Sequence, residues 1–167
     1  QRNQSHARRK HILQLRDAWI RHSDRLRIVS IQTPACDVEQ AEPLVTGLQA
    51  VAALDAIART GIDPLEIDLI LCMGEEWKEY PLTTSAIYIQ ERIGAYRAWG
   101  IDIQQRCNTT VAAIKIAKDM LIADPEIATV MIVGGYRNGD LIDFRDSAVS
   151  FMFDLAAGAG ALILRRN

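Results

Sequence analysis

Among the side chains of this 167-residue sequence that could do chemistry, Cys107 is the most informative. It follows an apolar segment, residues 98–103, across the polar stretch Gln104-Gln105-Arg106, and it stands just before a helix predicted to open at Asn108. A thiol placed there faces the unpaired N–H groups and the positive dipole end of a helix. Both favour thiolate over thiol, and Arg106 adds to this if its guanidinium turns inward. The same N–H groups could stabilise the oxyanion formed when a thiolate attacks a thioester carbonyl. A buried structural cysteine is the competing reading of any single thiol. Placement at a strand-to-helix turn favours the nucleophile.

The other candidates offer less. Cys72 lies inside the apolar run IDLILCM, where a thiol is an inert core residue, and Cys36 sits in a Pro-containing loop without a partner. The three cysteines form no CxxC pair, and no two histidines have HxH or HxxxH spacing, so no metal site is expected. His6, His11 and His22 all fall near the N-terminus, where a solvated surface role is the default and a general base for Cys107 is the weaker alternative. Ala157-Gly158-Ala159-Gly160-Ala161 lacks the last glycine of GxGxxG and precedes a strand, so it is neither a dinucleotide fingerprint nor a P-loop. It reads as the close-packed opening of a strand, and Asn138-Gly139 reads as a turn.

The elements that must position Cys107 follow from periodicity. Residues 9–20 carry Ile12, Leu15, Trp19 and Ile20 at helical spacing, and residues 26–31 alternate loosely as a short strand. After a loop over 33–42, a helix starts near Pro43 and runs to Thr60, burying Leu44, Leu48, Val51, Ala52 and Ile57. Gly61 supplies its left-handed cap. Residues 67–73 and 127–133 are continuous apolar runs, as expected of strands covered on both faces. The second is expected to stop at Gly134-Gly135. Helices are predicted over 83–93, closed by Gly94, and over 108–123, with a further strand over 98–103. Residues 149–153 and 160–164 are expected to pair as strands. Strands alternating with helices give an α/β layered fold in one domain.

Composition excludes some classes. With 49% hydrophobic and 24% charged residues the chain matches an ordinary globular protein, not a disordered one. No stretch reaches the roughly 20 apolar residues of a membrane helix. Free, sparse thiols suit a reducing, cytoplasmic compartment. The net charge of −2 hides an asymmetry: residues 1–27 carry eight Arg or Lys against two Asp, or +6, leaving −8 on the rest. A basic arm on an acidic body suggests an anionic partner, and a solvated helix face is the alternative. Nucleic-acid binding lacks the aromatic interleaving or helix-turn-helix that would support it.

Three motifs together resemble a known family. Asp102-Ile103-Gln104-Gln105-Arg106-Cys107 is similar to the Asp-Ile-x-x-x-Cys nucleophile segment of 3-oxoacyl-[acyl-carrier-protein] synthase III, a thiolase-superfamily condensing enzyme. Gly158-Ala159-Gly160-Ala161 resembles its GAGA segment, and Asp17-Ala18-Trp19-Ile20 its Asp-Glu-Trp-Ile segment. Residues 61–70 resemble its helix-to-strand connection. Arg106, Asn108-Thr109-Thr110 and Ala156-Ala157 depart from the family pattern, which has small residues around the cysteine and Gly-Asp before GAGA.

The resemblance implies the N-terminal half of a thiolase-like fold, a layered α/β structure with a mixed, largely parallel sheet. Residues 1–27 would be its basic amphipathic arm and 43–167 its core. It implies a cytoplasmic acyltransferase of fatty-acid or polyketide type. Cys107 would take an acyl group from acyl-coenzyme A, and malonyl-acyl carrier protein would then condense with it. Trp19 would stack on the coenzyme's adenine, and Arg21 or Arg25 would meet its phosphates. Coenzyme A enters as substrate, so no resident cofactor is expected, and a homodimer is. The catalytic His and Asn would belong to a C-terminal half beyond these residues, leaving this half inactive alone. A non-catalytic thiolase-fold protein that binds an acyl carrier or a partner subunit is the alternative.

Overall fold

In a computed structural model, the structure describes residues 26–33, 45–74, 82–155 and 157–166. Among the described residues five strands form one sheet: β1 (Leu26–Thr33), β2 (Leu69–Met73), β3 (Trp99–Ile103), β4 (Thr129–Arg137) and β5 (Ala157–Arg166). Three helices among the described residues are α1 (Val45–Thr60), α2 (Ser85–Ile93) and α3 (Thr109–Ala123). The strand order is β1-β5-β4-β2-β3, with β2 parallel to both β3 and β4 and with β5 antiparallel to β4 and β1. The sheet is mixed, as the sequence suggested.

The apolar run of β2 has the composition of a strand covered on both sides, and both sides are covered. Ile70 and Cys72 point to α1 and α2, where they join Ala52, Ala53, Ala56, Ala86 and Ile89. Leu69 and Leu71 point the other way, onto Ala113, Ala117 and Leu121 of α3. The alternation is the period-two geometry of a strand, and each large aliphatic side chain so buried contributes roughly 1.5–3 kcal/mol. Cys72 is fully buried, the core thiol expected of it.

Helix ends follow the expected chemistry. Gly61 takes φ +68 and donates its N–H to Ile57 O at 2.9 Å; Gly94 takes φ +76 and closes α2. Both are left-handed positions where glycine avoids the Cβ clash. Of the expected buried face of α1, Leu48 and Ala52 are buried and Val51 and Ile57 are half-buried, whereas Leu44 lies outside the described residues.

Two expectations fail. The strand expected to stop at Gly134-Gly135 runs on to Arg137. These glycines are not terminators: they are positions where the backbone must pass close to a neighbour. A β-carbon on Gly135 would lie 3.0 Å from Gln49 Cγ and 3.1 Å from Ala159 Cβ. Residues 149–153 are not a strand either. Residues 149–152 belong to 3-10 turns over Ser147–Met152, capped by Phe153 and started by Asp146, whose carboxylate accepts the Ala148 N–H at 2.9 Å. β5 therefore pairs with β4 and β1, Ala159 opposite Gly135 and Gly160 opposite Gly134, and the glycine-alanine run is the start of β5 itself.

Candidate active site

Cys107 stands where β3 hands over to α3. The sheet places β3 at one edge, beside β2, with Met73 opposite Ile103. After Ile103 the chain leaves the sheet through Gln104 and Gln105 and makes one 3-10 turn, Arg106–Asn108, before α3 begins at Thr109. All five residues from Gln104 to Asn108 are exposed, Cys107 among them. The structure thus sets the thiol at the surface on a strand-to-helix turn, away from the core reading that fits Cys72.

A strained backbone shapes the turn. Arg106 has φ +52, and among the described residues no other non-glycine has a positive φ. A side chain in this left-handed region costs on the order of 1 kcal/mol and persists where its surroundings hold it. Thr109, itself buried, supplies the hold: its hydroxyl donates to Arg106 O at 2.6 Å and accepts the Gln105 N–H at 2.8 Å. The backbone closes the same turn through Asn108 N–H to Gln105 O at 3.2 Å and Thr109 N–H to Arg106 O.

The helix beyond has no side-chain cap at its start. Asn108 occupies the cap position but its side chain makes no capping bond, and the first turn carries no acidic residue. Helix starts leave several N–H groups without intrahelical partners, at the positive end of the dipole. Here Arg106 O takes the Thr109 N–H, and among the described residues neither the cap side chain nor an acidic first-turn residue meets those that follow. An exposed thiol next to such a start is an arrangement suited to holding negative charge on an attacked carbonyl oxygen.

Asp102 fixes the strand that carries this turn. Its carboxylate accepts two backbone N–H bonds at the start of α2, from Ser85 and Ala86, both at 2.8 Å. Thr84, in the cap position of α2, makes no side-chain capping bond, so Asp102 caps the helix from the sheet. Glycine completes the joint: a β-carbon on Gly100 would come within 2.7 Å of Ala86 Cβ. Asp102→Ala leaves two buried amides unpaired, and full-length protein carrying it should lose about 2–3 kcal/mol in equilibrium denaturation. Asp102→Asn, which keeps one acceptor, should lose less.

Sequence reasoning found the thiol and missed what holds it. Asp102 appeared only as a letter of a motif, and Thr109 only as a departure from one. An acidic residue inside an apolar strand was the available signal for the first; the second had none. Trp19, Arg21 and Arg25, with His6, His11, His22 and Cys36, lie outside the described residues. A separate open concavity of about 550 Å³ on α2, lined by Thr83, Thr84, Ile87, Tyr88, Glu91 and Arg92, includes no residue of the Cys107 turn.

Comparison with known proteins bears on the same segment. Residues 101–167, which include Cys107, match the family described as 3-oxoacyl-[acyl-carrier-protein (ACP)] synthase III. The beta-ketoacyl-[acyl-carrier-protein] synthase III of Clostridium tetani is 34% identical over 116 residues, covering 70% of this chain and 34% of that protein. This chain is similar to the synthase III enzymes. The Clostridium acetobutylicum synthase III is 31% identical over 156 residues, 92% of this chain and 44% of its own length. The chain thus spans less than half the length of either synthase III. The priming beta-ketosynthase of the R1128 polyketide pathway superposes with a TM-score of 0.65 at 28% identity, over 73% of this chain and 35% of its own. The fold is that of the thiolase-like condensing enzymes. Among the described residues no helix is long and apolar enough to cross a membrane.

Proposed function

We propose that this chain is the nucleophile-bearing part of an acyl-transferring condensing enzyme, with Cys107 as the residue that is acylated. The observation that carries this reading is the exposed thiol on a strained turn between β3 and an uncapped helix, within the segment that matches synthase III. In the first step the Cys107 sulfur attacks the carbonyl carbon of an acyl-coenzyme A. A carbon–sulfur bond forms, the oxygen takes up negative charge near the first turn of α3, and collapse expels coenzyme A as its thiolate. In the second, malonyl-acyl carrier protein loses carbon dioxide. The resulting carbanion attacks the acyl carbonyl, and Cys107 leaves as thiolate.

Trp19, Arg21 and Arg25 serve the first step as the adenine platform and the phosphate contacts. The +6 charge of residues 1–27 supports an anionic substrate there. The general acid–base groups of the second step belong to the remainder of a longer, cytoplasmic, homodimeric enzyme built around one thiolase-like domain. No resident cofactor takes part.

The test is direct. Full-length protein incubated with acetyl-, butyryl- or octanoyl-coenzyme A should gain the mass of one acyl group, on the peptide containing Cys107. An unmodified protein, or an adduct on another peptide, overturns the assignment.

A second reading has its own observation. Arg106, a large side chain at φ +52, stands where the family has a small residue. A thiolase-fold protein that binds an acyl carrier or a partner subunit without chemistry would tolerate this. It predicts that a Cys107→Ala protein retains its biological activity in full.

A further inference from the structure

We propose that Thr109 is a positioning residue for Cys107, acting through the turn that presents the sulfur. The proposal rests on Cys107 being the acylated nucleophile. Four observations lead to it.

Thr109 is the first residue of α3 and is 5% exposed, on a stretch whose preceding five residues are all exposed. A threonine at the cap offers its hydroxyl forward, to the helix's own N–H groups. Thr109 stands one residue past the cap, where a hydroxyl can turn back to the carbonyl three residues earlier. This one points back. It donates to Arg106 O at 2.6 Å and accepts from Gln105 N–H at 2.8 Å, spanning the two residues before the cysteine. The Arg106 carbonyl thereby receives two donors from one residue, the Thr109 hydroxyl and the Thr109 N–H.

What is held is the residue least inclined to stay. Arg106 at φ +52 would relax to negative φ if released, and the peptide linking it to Cys107 would rotate with it. That rotation would swing the Cys107 N–H and side chain away from the start of α3. The Cys107 N–H is not among the donors that close the turn, which are those of Asn108 and Thr109. A side chain that pins the strained residue therefore sets where the thiol sits relative to the helix start. A misplacement of about 1 Å at a reacting atom is worth on the order of a hundredfold in rate.

The experiment compares full-length wild type with Thr109→Val, which keeps the shape and removes the hydroxyl, with Thr109→Ala, and with Thr109→Ser, which restores it. The acylation rate on Cys107 is followed against octanoyl-coenzyme A concentration. For Thr109→Val and Thr109→Ala the maximal rate should fall at least tenfold, with the half-saturating concentration within twofold of wild type. Thr109→Ser should return the maximal rate to within threefold. A role in folding alone would instead lower the unfolding midpoint and the fraction of protein that reacts, with the rate of the folded fraction unchanged, and that result overturns the proposal. If wild type takes no acyl group, the reading of Cys107 as acylated fails on its own. Alkylation of the same sulfur by iodoacetamide then decides the positioning: tenfold slower in Thr109→Val and restored in Thr109→Ser upholds it, and equal rates overturn it.

Discussion

Cys107→Ala full-length protein should form no acyl adduct, and its condensing turnover should fall by on the order of 10⁴- to 10⁶-fold, the scale on which a covalent nucleophile is lost. The size follows from what the sulfur does. It divides one acyl transfer into two steps, and no neighbouring side chain of the turn can replace it: Gln104, Gln105, Arg106 and Asn108 offer amides and a guanidinium, not nucleophiles. Cys107→Ser puts in the sulfur's place an oxygen that needs a base to become reactive, so its adduct should also be lost at neutral pH. The control lies in the same sheet. Cys72 is fully buried between β2 and the α1–α2 layer, out of reach of any thioester. Cys72→Ala should keep a full stoichiometric adduct while losing about 1 kcal/mol of stability to the small void it leaves. Intact-mass measurement on the three proteins reads all of this at once. A Cys107→Ala protein that still gains an acyl group places the chemistry elsewhere.

Much of the framework behind that prediction is visible in the sequence because its signals are local. β2 and most of β4 declare themselves as apolar runs because both faces are covered. Gly61 and Gly94 mark helix ends because a left-handed residue is needed just there. The thiol itself is legible from its place between a strand pattern and a helix pattern. What the sequence hides is relational. Gly134 and Gly135 look like punctuation, yet they are demanded by Met73 and by Gln49 and Ala159, residues far away in the chain. Residues 149–153 are apolar enough for a strand. Asp146 turns the chain into 3-10 geometry instead, and Phe151 is left 79% exposed where a paired strand would have buried a face. Asp102 reaches helix N–H groups 16 and 17 residues earlier, and Thr109 reaches back over the cysteine rather than forward. Each depends on three-dimensional neighbours that no window of sequence contains.

Gly134 shows how such a relation reaches the site, and Gly134→Ala should cost about 2–3 kcal/mol in equilibrium unfolding of the full-length protein, several degrees in its midpoint. A β-carbon there would lie 2.8 Å from Met73 Cε, 2.9 Å from Met73 Cβ and 3.2 Å from Met73 O. The methyl end can swing aside; Cβ and the carbonyl are fixed to the strand, so β2 itself must move. β2 lies between β4 and β3, and Met73 stands opposite both Gly134 and Ile103. The next residue, Gly74, donates its N–H to Ile103 O at 3.1 Å. A displacement of β2 is therefore handed to Ile103, four residues before Cys107, and acylation of the folded variant should slow by on the order of tenfold. Gly158→Ala is the matched control, in the same glycine-rich corner of the sheet. Among the described residues no heavy atom beyond its chain neighbours lies within 4 Å of a β-carbon built there, so its stability should stay within about 0.5 kcal/mol of wild type and its acylation rate unchanged. If Gly134→Ala unfolds and acylates like Gly158→Ala, the close approach of β4 to β2 does not govern the placement of the thiol, and the turn around Arg106 and Thr109 sets it alone.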